Sequence, residues 1–131
     1  TMVQVEDVAN RLLATDEDIT FSGGDPMFQI EAFAELASII KAKSNKNIWC
    51  YTGYTFEQLL RNNKSLELLK NIDVLVDGRF IEEQKDKEIL FRGSKNQRLI
   101  DVQQSLKLGE IVTYQPIGLL SPLLMKYKIH A

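Results

Sequence analysis

The chain has 131 residues, enough for one domain with a single sizeable core. Hydrophobic residues at 44% and charged residues at 26% are ordinary for a soluble globular protein, and a net charge of −2 gives no basis for a nucleic-acid surface. One cysteine, Cys50, excludes an internal disulfide and suits a reducing compartment. No leader-like opening and no stretch of the ~20 apolar residues that span a bilayer are present, so the expectation is a cytoplasmic protein with neither nucleic acid nor membrane as partner.

Residues 4–14 place Val5, Val8, Leu12 and Leu13 at helical spacing. A short apolar strand over 18–22 then runs into Gly23 and Gly24, followed by Asp25 and Pro26 as N-cap and first residue of a helix. The stripe Ile30, Phe33, Ala37, Ile40 gives that helix its buried face, and Lys41 and Lys43 suit its C-terminal end. Ile48-Trp49-Cys50-Tyr51 is apolar on both faces, as a buried parallel strand should be. Thr55 is expected to cap a helix through Leu60, and Ser65 another through Lys70. Val74-Leu75-Val76 reads as the next buried strand. After a charged turn over 82–87, Glu88-Ile89-Leu90-Phe91 reads as a fourth. A helix over 98–106 and a final strand over 111–114 complete the series.

Alternating strands and helices argue for an α/β fold with a mostly parallel sheet, in a single domain over 1–131. Such sheets bind ligands outside the carboxyl ends of their strands. Those ends read Ser22-Gly23-Gly24, Tyr51-Thr52-Gly53, Asp77-Gly78 and Arg92-Gly93. If all four strands are parallel, Ser22, Asp25, Thr52, Asp77 and Arg92 share one rim. Two adjacent glycines let backbone approach a ligand without a Cβ in the way. Each residue also has a plainer role. Asp25 is a good N-cap, Asp77 a turn residue, and Arg92 half of an ion pair. Trp49 and Tyr51 form core packing or an adenine wall, Cys50 is a buried inert thiol, and His130 is solvated. A phosphate site at Gly23-Gly24 is disfavoured because no Walker-type lysine follows the glycines.

The run Thr20-Phe21-Ser22-Gly23-Gly24-Asp25-Pro26 resembles the glycine-rich motif of radical S-adenosylmethionine enzymes. Three further segments narrow the resemblance: Trp49-Cys50-Tyr51-Thr52-Gly53-Tyr54, then Val74-Leu75-Val76-Asp77-Gly78-Arg79-Phe80, then Phe91-Arg92-Gly93-Ser94-Lys95-Asn96-Gln97-Arg98. In this order and spacing, over roughly 18–106, they are similar to the activating proteins of anaerobic ribonucleoside-triphosphate reductase.

That resemblance implies a partial (βα) barrel, S-adenosylmethionine bound by Ser22, Gly23, Gly24, Asp25, Thr52, Asp77 and Arg92, and a 4Fe–4S cluster whose electron yields a 5′-deoxyadenosyl radical. The radical would take hydrogen from a glycine of the reductase. The implied partners are the reductase's glycyl-radical subunit and a small electron-transfer protein. In the family a Cys-x3-Cys-x2-Cys loop after the first strand holds the cluster, whereas here no cysteine precedes Asp18. The expectation is a chain without that first strand and loop, binding no metal and inactive by itself, with Asn96, Gln97 and Arg98 shaping a loop and capping the last helix. It would either self-associate through the exposed 19–21 edge or fold its own tail over it. Two other readings stay open: an activator of pyruvate formate-lyase, and a non-catalytic module that binds a nucleotide or a partner.

Overall fold

The computed structural model describes residues 2–22, 25–89, 91–115 and 127–130. The elements run α1 (Met2–Leu13), β1 (Ile19–Ser22), α2 (Ile30–Lys43), β2 (Ile48–Tyr51), α3 (Phe56–Leu60), α4 (Asn63–Leu69), β3 (Val74–Asp77), β4 (Arg98–Asp101), α5 (Val102–Leu108) and β5 (Tyr127–His130). The fold is α/β. The sheet order is β4-β3-β2-β1-β5, and β5, β1, β2 and β3 are parallel while β4 is antiparallel.

Residue alternation along the strands decides which side faces the helices. Ile19, Phe21, Ile48, Cys50, Leu75 and Ile100 face one side, against Ala9 and Leu12 of α1, the Phe33-Leu36-Ala37-Ile40 stripe of α2, Leu59 of α3, Leu68 and Leu69 of α4 and Val102 of α5. All five helices among the described residues thus contribute to one core on one side of the sheet. The intervening residues Trp49, Val74 and Val76 form a smaller cluster on the other side, with Tyr51, Phe91, Leu99 and Tyr114 packed against it.

The local signals act mostly as expected. Asp25 caps the turn that opens at Pro26, but that turn, Pro26–Gln29, is 3-10 before α2 proper begins. Thr55 and Gln58 form a reciprocal capping box on α3, at 3.2 and 2.8 Å. The cap of α4 is Asn62 rather than Ser65. The Asn62 carboxamide oxygen accepts from the Lys64 and Ser65 amides, and Ser65 lies buried inside the helix.

Three expectations about the second half are corrected. Glu88-Ile89-Leu90-Phe91 is not a fourth parallel strand: Asp86 turns the chain by accepting from the Glu88 amide, Phe91 has φ 68°, outside any strand, and Leu90 lies outside the described residues. The stretch 98–106 is not one helix. Arg98–Asp101 pairs antiparallel with β3, and Asp101 then caps α5 through the Gln104 amide, so the helix starts four residues late. Of 111–114, only Thr113 makes a bridge, to Ile100. The outer edge of β1 is covered by the chain's own tail, with Ile19, Thr20, Phe21 and Ser22 in register with Tyr127, Lys128, Ile129 and His130.

Candidate functional site

The carboxyl ends of β1, β2 and β3 lie side by side, and two acidic residues organise them. Asp25 follows β1. Its Oδ1 accepts from the Met27 amide at 3.0 Å, and its two oxygens share the Thr52 hydroxyl at 3.0 and 3.1 Å. Its Oδ2 also accepts from the Gly53 amide at 2.8 Å. Thr52 Oγ1 in turn accepts from the Tyr54 amide. One carboxylate therefore caps the turn into α2 and ties it to the end of β2. A carboxylate oxygen accommodates about two donors, so a ligand cation would meet Asp25 as a fixed charge whose acceptor positions the chain already uses.

Asp77 ends β3 and is 1% exposed. Its Oδ2 accepts from the Phe56 amide at 2.8 Å, an otherwise orphaned donor at the start of α3. The Arg98 guanidinium grips both Asp77 oxygens, through Nε at 3.0 Å and Nη2 at 2.5 Å, and also bonds Glu57. These partners raise the Arg98 pKa further, and Arg98 holds the Glu57 carboxyl below its ordinary range. Asp77 is thus a buried anchor that joins β3, β4 and α3. The backbone joins its strand end to that of β2, as the Gly78 amide donates to the Tyr54 carbonyl at 2.9 Å. Gly78 sits at φ 95°, which a side chain would strain.

Of the sequence-expected residues, Ser22, Asp25 and Thr52 come together at the ends of β1 and β2, with Asp77 on the neighbouring strand. Gly23 and Gly24 lie outside the described residues. Arg92 is not brought to this rim by a parallel strand; it stands on the loop before β4, where its Nη1 donates to the Gln97 carbonyl at 2.8 Å. Trp49 meets Phe91 and Tyr114 edge-on, with ring centroids 4.9 and 5.2 Å away, and Tyr51 donates its hydroxyl to the Phe91 carbonyl at 2.8 Å. Both aromatics pack the second face. Burial pushes the Tyr51 phenol up to about 12.

Of the residues just before and at the start of β4, Asn96 and Gln97 shape the loop as expected and Arg98 does more. Gln97 is nearly buried and clamps the loop: its Oε1 accepts from the Gly93 and Ser94 amides and its Nε2 donates to the Gly78 carbonyl. Asn96 supports it by donating to the Arg79 carbonyl. Loop shaping was expected of Asn96 and Gln97. The Arg98–Asp77 pair was not, because it follows from an antiparallel register that places Asp77 opposite Arg98.

Cys50 is fully buried between the sheet and the helices. Burial, with the nearby Asp25 charge adding to it, pushes its thiol pKa far up. Iron–sulfur clusters are held by several thiolates. One sealed, protonated cysteine does not fit such a group, and among the described residues no cluster of His, Cys, Asp or Glu is arranged to hold a metal. Nor is any described helix long and apolar enough to cross a membrane.

The sequence profile of one family, described as 4Fe-4S single cluster domain, matches residues 2–100. The chain is 40% identical over 103 residues to an anaerobic ribonucleoside-triphosphate reductase-activating protein of Enterobacteria phage T4, a match covering 76% of this chain and 63% of the relative. It is 44% identical over 82 residues to the protein of that name from Vibrio cholerae, covering 60% of this chain and 52% of the relative. It is 38% identical over 84 residues to that of Haemophilus influenzae, covering 62% and 53%. The matches thus span between about half and just under two thirds of these relatives. No solved structure matches the chain. With its profile match running from α1 into β4, and with relatives that share one name, the chain belongs to the 4Fe-4S single cluster domain family and is similar to its anaerobic ribonucleoside-triphosphate reductase-activating proteins.

Proposed function

We propose that the chain is the S-adenosylmethionine-binding portion of a cytoplasmic activating protein that generates a glycyl radical on anaerobic ribonucleoside-triphosphate reductase. The observation that carries this reading is the junction of the first two strand ends. In sequence Ser22 and the Gly23-Gly24 pair lead directly into Asp25, whose carboxylate is locked to Thr52 and Gly53. Support also comes from the described helices, which pack on one side of the sheet, as in a partial (βα) barrel, rather than on both sides as in a doubly wound sheet. Their arrangement leaves the aromatic side for a ligand and a partner.

In this reading Gly23 and Gly24 offer backbone to the methionyl amino group, Asp25 supplies the fixed negative charge beside it, and Ser22 and Thr52 contribute hydroxyls. Asp77, sealed by Arg98, keeps the neighbouring strand end in place. The cofactor, when bound and reductively cleaved, supplies a 5′-deoxyadenosyl radical. The electron has to come from a cluster that the single cysteine of these 131 residues cannot ligate, so the chain by itself is inactive. The same observation, one sealed thiol, favours a second reading in which the chain is a non-catalytic binding module.

Calorimetry of the chain with S-adenosylmethionine tests the site. Weak binding is expected, and Gly24→Val abolishes it by placing a branched side chain where backbone meets ligand. No binding by the parent, or equal binding by the variant, overturns the proposal. Glycyl-radical formation on the reductase by a longer protein that carries both this segment and cluster cysteines separates the activase from the binding module.

A further inference from the structure

We propose that Tyr54, Arg79 and Phe80 form the surface on which the glycine-bearing segment of the reductase docks, at the open end of the sheet beside Asp25. This inference rests on the activase reading and deepens it. On that reading a hydrogen atom passes from a glycine Cα of the reductase to the 5′ carbon of the cleaved cofactor. Such a transfer needs the two carbons in contact, roughly 3–3.5 Å apart. The partner therefore has to reach the strand ends that hold the cofactor, and it meets there the side chains that the chain itself leaves unused.

These three residues answer that description. Of the large hydrophobic side chains exposed among the described residues, the aliphatic ones, Val8, Leu60 and Leu108, stand singly on α1, α3 and α5. The two aromatic ones, Tyr54 at 39% and Phe80 at 45% exposure, both follow strand ends at this rim. The backbone brings them together, as the Gly78 amide donates to the Tyr54 carbonyl at 2.9 Å. A Cβ on Gly53 would lie 3.5 Å from Asp25 Oδ2 and 4.0 Å from the Arg79 Cα, so Arg79 borders the carboxylate that organises the first two strand ends. Arg79 is exposed, and its guanidinium has no carboxylate partner among the described residues. It offers five donors to the backbone carbonyls of an extended segment.

The surface is also held in place. Asn96 donates to the Arg79 carbonyl at 2.7 Å, Gln97 to the Gly78 carbonyl at 3.0 Å, and the Ile81 amide to Ser94 Oγ at 3.2 Å. The Phe80 ring lies against Gly93, where a Cβ would stand 2.9 Å from the ring carbon Cδ1. The ring is thus seated on bare backbone and still open to solvent. Aromatic and arginine side chains carry much of the binding energy at interfaces, and ones already fixed lose little freedom on docking. Gly53 and Gly93, both exposed, add no side chain that would hold a partner off the rim.

Binding of the full chain to the purified anaerobic reductase of the same source, followed by fluorescence anisotropy with S-adenosylmethionine present, is the test. Phe80→Ala and Arg79→Ala should each weaken binding about tenfold or more, while Leu108→Ala and Val8→Ala leave it unchanged. Calorimetry should find the affinity for S-adenosylmethionine unchanged in both rim variants. In the wild-type chain, added reductase should slow hydrogen exchange at the Arg79 and Phe80 amides, and this readout decides the matter if a variant does not fold. Reductase binding that both rim variants retain, or exchange that the reductase does not slow, overturns this inference and leaves the activase reading standing. A loss of S-adenosylmethionine affinity in either variant assigns the surface to the cofactor and overturns it too. No reductase binding by the wild-type chain overturns the inference together with the reading beneath it.

Discussion

The Thr52 hydroxyl reaches both oxygens of the Asp25 carboxylate, at 3.0 and 3.1 Å, across the gap between two adjacent strand ends. An N-cap and a cross-strand tie are the same group. Removing it therefore costs more than a cap alone. Asp25→Ala should lower stability by about 2–3 kcal/mol, the sum of a lost cap and a lost charged hydrogen bond. Thr52→Val, which keeps the cap and the Gly53 contact, should cost about 1 kcal/mol. Urea denaturation with unchanged slope checks both, and equal midpoints for the two variants would refute the shared role.

The Asp77–Arg98 pair is expected to dominate its neighbourhood. Asp77 is 1% exposed, so Asp77→Ala leaves the Arg98 guanidinium to Glu57, takes the acceptor from the Phe56 amide, and should cost about 3 kcal/mol. Glu57 is half exposed on the outer side of Arg98, and Glu57→Gln should cost well under 1 kcal/mol. Thermal unfolding of the two variants side by side measures the contrast.

Alkaline stability should depend on Tyr51. Its phenol titrates at about 12 in the fold against 10.0 ordinarily, because of burial. The folded state holds that proton more tightly, so the contribution is complete below pH 10 and disappears as the pH rises from 10 towards 12. Tyr51→Phe should flatten this part of the stability profile. It should also lose about 1 kcal/mol at neutral pH with the bond to the Phe91 carbonyl. A phenol absorbance titration that finds Tyr51 ionised by pH 10 would contradict this.

Anaerobic reconstitution with ferrous iron and sulfide should leave the chain without a stoichiometric cluster, and Cys50 should resist thiol reagents until the protein unfolds. Iron retained through desalting at one cluster per chain would show ligands other than cysteine at work.

Deletion of residues 116–131 should uncover the β1 edge, since Tyr127–His130 supplies its outer partner. An uncovered parallel edge is a template for another chain. Light scattering should show self-association and denaturation a lower midpoint; a truncated monomer of full stability would mean the edge is protected by other residues.

The first half of the fold was legible because its signals are local. Asp25-Pro26 announces a helix start, Thr55 with Gln58 a capping box, and the apolar runs at 48–51 and 74–76 buried parallel strands. The second half was misread because its decisive contacts are distant in sequence. Arg98-Leu99-Ile100 has no helix stop ahead of it, and only pairing with Val76 and Asp77 makes it a strand. The strand expected at Glu88-Ile89-Leu90-Phe91 failed for a related reason, as Phe91 is held out of extended geometry by Tyr51 and Trp49, forty residues upstream. Ser22, Asp25 and Thr52 were assigned to one rim correctly because parallel strands carry their carboxyl ends to the same side. Arg92 was assigned to it through a strand that does not exist.

The register of Ile19 with Tyr127 sets the order in which the sheet can be finished during synthesis. Strands β1 to β3 and their helices emerge from a ribosome early and pair with near neighbours, but the outer flank of β1 waits for residues 127–130. Until Tyr127–His130 docks, that flank lacks the partner it has in the fold, and contacts of such long sequence separation close slowly. Copies that meet while the flank is open would thus be prone to pairing with one another there, and a chaperone that shields residues 19–22 would act before β5 docks.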